Sequence, residues 1–176
     1  MKMWPLVASV IVIAAGAHAQ MPYAGMQTRP IKALSEQQVG DLKAGRGMGL
    51  ALVAELNGYP GPSHVLELAD RLELSAGQRG EVQKLFDSMK AEAMPLGVRL
   101  IEQEADLDRL FSGRTVTAES LKTSTAAVAA TQGALRETHL KYHLSTASLL
   151  SQAQMAKYAE LRGYGAGGSE HRHHRH

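Results

Sequence analysis

The residues of this chain that are best suited to chemistry are its histidines, which collect at two places. The last six residues hold four of them: His171, His173, His174 and His176. Neutral imidazole binds zinc, nickel and copper, and a His-rich tract is typical of metal binding without a preformed geometry. His139 and His143 form a second group, because a spacing of four residues puts both rings on one face of a helix.

The two histidine groups are unequal as metal-site candidates. His139 and His143 supply two ligands, whereas zinc in a structural site normally takes four, so a structural role is the favoured interpretation of this pair. His64 can join them only through the fold. The tail is therefore the stronger candidate for zinc, nickel or copper, and no cofactor is required. The sequence shows no nucleophile paired with a base and no nucleotide-binding motif, so we do not expect an enzyme.

Both ends of the chain differ from its middle in composition. Lys2 precedes the apolar run 6–15 and Ala17-His18-Ala19, which together predict a signal peptide cleaved after residue 19 and export to the bacterial periplasm. Residues 20–29 are rich in Met, Gly and Pro and predict a flexible N-terminal arm. Residues 165–176 predict a glycine-rich linker followed by the His-rich tail. One domain, residues 30–164, is expected between them.

The charge balance and the missing cysteines narrow the class of protein further. Nineteen Lys and Arg stand against 17 Asp and Glu, a formal net charge of +2, and the two signs are interleaved. A basic stripe suited to nucleic acid is absent from the sequence, so we expect no nucleic-acid partner. With no cysteine there is neither a lipoprotein anchor nor a disulfide. Stability must therefore come from packing, and we expect no stable membrane anchor.

Apolar periodicity predicts an all-α fold that would position these residues. Three short helices are expected, from Leu34 to about Gly45, over Met48–Asn57, and from a Ser63 cap to about Leu72. A long amphipathic helix should then run from Ser75 to Ser112, kinked by an internal proline.

A second long helix should begin at a Thr117 cap and pack antiparallel on the first, forming a long helical hairpin. Its seam repeats every seven residues: Leu121, Val128, Leu135, Tyr142 and Leu149. A final short helix is expected over Ser151–Arg162. Because a hairpin with short flanking helices leaves an apolar seam uncovered, a homodimer is expected as well.

Three short motifs share the pattern L-S-x-x-Q, in which Ser caps a helix, Gln returns to the cap amide, and Leu precedes them. The residues concerned are Leu34, Ser35 and Gln38; Leu74, Ser75 and Gln78; and Leu150, Ser151 and Gln154. Two of the motifs bracket the hairpin, downstream of a signal peptide and in a chain without cysteine. In this the chain resembles the LTXXQ motif family, the Spy and CpxP group of periplasmic proteins, over about residues 62–164, with Ser in place of Thr.

The resemblance implies an all-helical, cradle-shaped dimer and several alternative functions. Members of the family include ATP-independent chaperones, modulators of envelope-stress sensor kinases, and proteins that bind zinc or other metals. The leading hypothesis is a chaperone or envelope-stress protein that holds unfolded or folding clients on an amphipathic helical surface. A metal-binding or metal-sensing protein and a regulator of a sensor kinase remain as alternatives. Four cations of the first long helix are candidates for steering clients: Arg79, Lys84, Arg99 and Arg109.

Overall fold

A computed structural model describes residues 23–164 of the chain. The predicted signal peptide, the first residues of the predicted arm, the linker and the His-rich tail lie outside these residues. Six α-helices follow a 3-10 turn at Met26–Thr28, and no strand occurs between residues 23 and 164. The helices are α1 (Glu36–Lys43), α2 (Leu52–Glu55), α3 (Pro62–Glu67), α4 (Ala76–Ser112), α5 (Ala118–Leu149) and α6 (Gln152–Leu161). The prediction of an all-α fold is confirmed.

The long helices α4 and α5 form the expected hairpin and dominate the molecule. Helix α4 continues through Pro95, and Thr117 caps α5 with a hydrogen bond from the Ser120 amide. Side-chain bonds fix the antiparallel register, because Glu92 near the middle of α4 accepts from Tyr142 near the end of α5 at 2.7 Å and also binds Lys141. Of the predicted seam, Val128, Leu135 and Tyr142 are buried.

The hairpin tip departs from the predicted seam. Leu121 is 39 % exposed, and Phe111 near the end of α4 is 55 % exposed. Both side chains lie within one or two helical turns of the connection at residues 113–117. No third helix of the described chain is inserted at this connection to cover them. The first position of the seven-residue repeat, Leu121, is therefore not part of the buried seam.

Helix α1 packs against the middle of the hairpin because glycine at position 97 allows a very close approach. A Cβ atom on Gly97 would lie 2.2 Å from the Leu42 carbonyl oxygen, so any side chain there would collide with backbone. Leu42 joins Ala93, Leu100, Val128 and Leu135 in one apolar cluster. A second cluster closes the base of the hairpin and unites α3, α4 and α6: Val65, Ala69, Leu72, Leu74, Val82, Leu150 and Tyr158.

Two of the short helices are shorter than predicted. The helix expected over Met48–Asn57 is reduced to Leu52–Glu55, because Met48 and Gly49 have φ angles of 43° and 84°, which no α-helix accommodates. The third helix begins with Pro62 at its first position and has Gly61, not Ser63, as its N-cap. Ser63 therefore lies inside the helix, and the prediction of a Ser63 cap and of an end near Leu72 is wrong.

None of the helices between residues 23 and 164 combines the length and apolar character that crossing a membrane requires.

Candidate functional site

Helix α2 presents apolar side chains to solvent. Leu52, Val53 and Leu56 are 54 %, 51 % and 55 % exposed, although Leu and Val are among the residues most often buried. The helix has four residues, and its buried side is taken up by Ala54 and Glu55. Clustered exposed apolar side chains mark interaction surfaces more often than isolated ones do.

Two adjoining hollows lie beside this surface and together form what we call the apolar groove. The first, about 860 Å³, lies between α1 and α5, and the second, about 490 Å³, lies along α2. Met48, Leu50 and Arg136 line both, so the two hollows adjoin. The walls are mainly apolar, with a few amides and charges at Gln37, Gln132, Asp41 and Arg136.

The two charged side chains that line the groove differ in their partners. The Asp41 carboxylate accepts from Arg46 Nε at 2.6 Å and is thereby neutralised. Arg136 is exposed and forms no ion pair with any acidic residue between 23 and 164. The groove therefore combines apolar walls with a guanidinium group that no acidic side chain of the described residues occupies.

The buried carboxylate of Glu55 fastens α2 to the rest of the protein. Glu55 is 6 % exposed and accepts hydrogen bonds from the Tyr158 hydroxyl of α6 and from the Gly61 amide, the latter at 3.2 Å. His64 Nδ1 lies 3.5 Å from one carboxylate oxygen, and Arg162 Nε lies 3.6 Å from the same atom. Helices α2, α3 and α6 thus meet at one acidic side chain.

The environment of Glu55 keeps it ionised. Burial by itself raises the pKa of this carboxyl, but hydrogen bonds from His64 and Tyr158 outweigh that effect and lower the pKa to about 2. Burial and the bond to Glu55 in turn raise the pKa of Tyr158 well above its usual range, so the tyrosine remains the proton donor. The sequence motifs and spacings did not predict a role for Glu55. A lone carboxylate inside the apolar run 50–56 was the available indication of a buried, paired charge.

His139 and His143 are both buried, at 2 % and 8 % exposure. The Nδ1–H of His143 donates to the Tyr59 carbonyl oxygen at 2.7 Å. The backbone of Gly61 lies so close to this ring that a Cβ there would be 2.7 Å from Nε2. Burial, together with the neighbouring His143, lowers the pKa of His139, so its ring is neutral, and its Nε2 has no hydrogen-bond partner among residues 23–164.

The fold brings His64, His139 and His143 to the wall of one cavity of about 550 Å³, which Glu55 also lines. Two of them approach the Glu55 carboxylate, with His64 Nδ1 3.5 Å and His143 Nδ1 3.8 Å from its oxygens. Between residues 23 and 164, no three His or acidic side chains are placed to hold one metal ion. The four tail histidines lie outside the described residues.

All three L-S-x-x-Q motifs form complete capping boxes, as predicted. Ser35, Ser75 and Ser151 each accept from the amide of the Gln three residues on, and each Gln side chain accepts from the Ser amide. Leu74 and Leu150 are buried, and Leu34 packs at the edge of the core. The second and third motifs are also bonded to each other, because the side chains of Gln78 and Gln154 form a pair of hydrogen bonds across the base of the hairpin.

The four candidate steering cations do not form one patch. They are spread over 30 residues of α4, about 45 Å of helix. Arg79, Lys84 and Arg109 each pair with a nearby carboxylate on the surface, those of Asp70, Glu81 and Asp106. Arg99 is exposed and has no such partner among the described residues.

Comparison with family models gave no match. Comparisons with curated proteins and with solved structures gave no match either.

Proposed function

We propose that this protein is an ATP-independent chaperone of the bacterial periplasm that holds unfolded or folding clients. The observation that carries the proposal is the exposure of Leu52 and Val53 on α2 and of Leu56 at its C-cap, at the edge of the apolar groove. A client that exposes apolar side chains can cover this surface without entering an enclosed site. The resemblance of the L-S-x-x-Q motifs to the LTXXQ family supports the same function.

The size of the surface suits release without nucleotide. Burying the exposed half of each of these three side chains contributes about 1 kcal/mol, or about 3 kcal/mol in total. A free energy of this size corresponds to millimolar affinity or weaker, before the entropy cost of ordering a client is subtracted. Several such contacts are needed to hold a client, and each of them breaks quickly.

The positive charges on the surface of α4 would raise the rate at which clients are captured. Arg79, Lys84, Arg99 and Arg109 project along α4, and the surface ion pairs of three of them contribute little and can open. We propose that they attract acidic clients at low ionic strength. Replacing all four with Gln should slow capture in low salt and have little effect in high salt.

The periplasmic location and the homodimer belong to the same proposal. The basic start, apolar run and A-x-A site support export, which mass spectrometry of the purified periplasmic protein tests by finding Gln20 at the N-terminus. The exposed Phe111 and Leu121 at the hairpin tip, and Met94 and Val98 on α4, offer apolar surface to a second copy. Light scattering that reports a monomer at micromolar concentration contradicts the dimer.

The deciding experiment is an aggregation assay on a chemically denatured client, with the mature protein and a variant carrying both Leu52→Ser and Leu56→Ser. The mature protein should suppress light scattering, and the variant should lose most of that activity. Leu144→Ser is the matched control, because Leu144 is equally exposed, at 57 %, but lies on α5 away from the groove. Failure of the mature protein to protect any client contradicts the proposed function.

A second candidate function, binding of zinc, nickel or copper, is favoured by the four histidines within the last six residues. Repeating the aggregation assay with and without zinc separates the two functions. A chaperone should protect the client without zinc, whereas a metal-sequestering protein should not protect it in either condition.

A further inference from the structure

We infer that the apolar groove selects extended peptide segments in which apolar side chains flank an acidic one, with Arg136 as the partner of the carboxylate. The inference rests on the proposed function and goes further, because it assigns a chemical class to the client segments. It is carried by the composition of the groove.

Arg136 is the feature that sets the preference. It lines both hollows, is exposed, and lacks an acidic partner among the residues that the structure describes. Arg46 pairs with Asp41 and lines neither hollow. The planar guanidinium group of Arg matches a carboxylate in a two-bonded geometry that Lys cannot reproduce.

The apolar walls on either side of Arg136 determine what flanks the acidic residue. The partly buried Leu34 and Leu50 line the α1 side, and Leu52, Val53 and Leu56 line the α2 side. Because Arg136 lies between the two, a segment that crosses the groove meets apolar surface, then a cation, then apolar surface. A peptide with an acidic residue between two apolar stretches follows the same order.

Two amide side chains are placed to hydrogen-bond with the backbone of the bound segment. Gln37 and Gln132 line the first hollow and are exposed, and neither side chain forms a hydrogen bond with another described residue. Each carries a donor and an acceptor, which is what a peptide unit requires. An extended segment leaves its amides and carbonyls unpaired, whereas a helix satisfies its own, so extended segments gain more from these amides.

The test uses fluorescence anisotropy with three labelled peptides that differ at one central position. All are short, rich in Leu and Val, and blocked at both ends, with Asp, Asn or Lys in the centre. The Asp peptide should bind about three- to fivefold more tightly than the Asn peptide, as an accessible ion pair allows, and the Lys peptide should bind least. The preference should shrink as salt is added.

The charge-reversed variant Arg136→Glu should reverse the order, with the Lys peptide bound most tightly. Arg99→Glu is the control, because Arg99 is an exposed cation outside the groove with no acidic partner among residues 23–164, and it should leave the order unchanged. Circular dichroism checks the fold of both. Should Arg136→Glu misfold, Arg136→Gln replaces it and should equalise the Asp and Lys peptides.

The outcomes separate this inference from the proposed function. Equal affinity of the mature protein for all three peptides, or an Asp preference that persists in a folded Arg136 variant, overturns the inference, whether or not aggregation is suppressed. An Arg136-dependent Asp preference without suppression of aggregation upholds the peptide site and contradicts the chaperone proposal.

Discussion

The side chains of Gln78 and Gln154 bind each other reciprocally. Gln78 Nε2 donates to Gln154 Oε1 at 2.9 Å, and Gln154 Nε2 donates back to Gln78 Oε1 at 3.1 Å. Each also donates to a backbone carbonyl of the opposite segment, Gln78 to Leu149 and Gln154 to Leu72. The two motifs therefore join α4 to α6 as well as starting those helices.

Breaking this pair should cost more than losing a cap. Gln78→Ala and Gln154→Ala are each expected to lower the free energy of unfolding by about 1.5–3 kcal/mol, because each removes a cap bond and also takes two hydrogen bonds from the partly buried partner amide. The two changes should not be additive, which a double-mutant cycle measured by urea unfolding will show. Gln38→Ala is the control, since Gln38 bonds within its own cap alone, and should cost about 1 kcal/mol or less. Additive effects contradict the pairing.

The serine caps give a second prediction. Ser75→Ala and Ser151→Ala should each lower the free energy of unfolding by about 1 kcal/mol without abolishing client protection, because each removes one helix cap. Ser63→Ala should cost less than about 0.5 kcal/mol, since Ser63 caps nothing. Thermal unfolding and the aggregation assay check these changes together. A Ser75 or Ser151 variant that keeps its melting curve and loses activity would show that the motif contacts clients.

Local rules predicted the long elements and the three caps because those depend on residues close in sequence. The Ser and Gln of Ser-x-x-Gln form both capping hydrogen bonds with each other's backbone amides. The apolar repeat of α5 needs a second long helix to pack against. The pairing of Gln78 with Gln154 joins residues 76 positions apart, so no local pattern could predict it. Glu55 was missed for the same reason, because its partners come from α3, α5 and α6.

The short helices were predicted less well because turn geometry decided them. Met48 adopts a left-handed φ that few non-glycine residues show, so the helix expected over Met48–Asn57 does not begin until Leu52. The consequence is the exposed surface of α2. A full helix over these residues would have had a buried face of its own, whereas a single turn leaves Leu52, Val53 and Leu56 in solvent. The candidate site therefore lies in the segment for which the sequence predicted too long a helix.

Gly97 gives a prediction about the packing of α1. Gly97→Ala should lower the free energy of unfolding by more than about 2 kcal/mol, because its Cβ would lie 2.2 Å from the Leu42 carbonyl oxygen, and one of the two backbones must shift. Gly80→Ala in the same helix is the control. A Cβ there meets no atom within 4 Å, so this change should stabilise the protein by about 0.5–1 kcal/mol. Urea unfolding measures both, and equal effects contradict the close packing.

Glu55 gives a prediction about pH. Its pKa falls from 4.5 to about 2 on folding, so the stability it contributes is present above about pH 4.5 and is lost as the pH falls toward 2. Glu55→Gln should therefore lower the free energy of unfolding by about 2–3 kcal/mol near pH 7, and the difference from wild type should shrink below pH 4.5. Glu102→Gln, an exposed change on α4, should stay within about 0.5 kcal/mol throughout. A difference for Glu55→Gln that does not vary with pH contradicts the buried ion pair.

The His-rich tail gives the last prediction, which follows from the supply of ligands. Four histidines lie between residues 171 and 176, whereas no three His or acidic side chains between residues 23 and 164 are placed to hold one metal ion. Truncation after Gly168 should therefore remove most binding of zinc, nickel or copper in calorimetric titration, and leave helicity and client protection nearly unchanged. In the intact protein, affinity should fall as the pH drops through about 6.5, because a protonated imidazole cannot bind metal. Tight binding retained by the truncated protein would move the site to the buried His139 and His143 and favour the metal-sensing function over the chaperone.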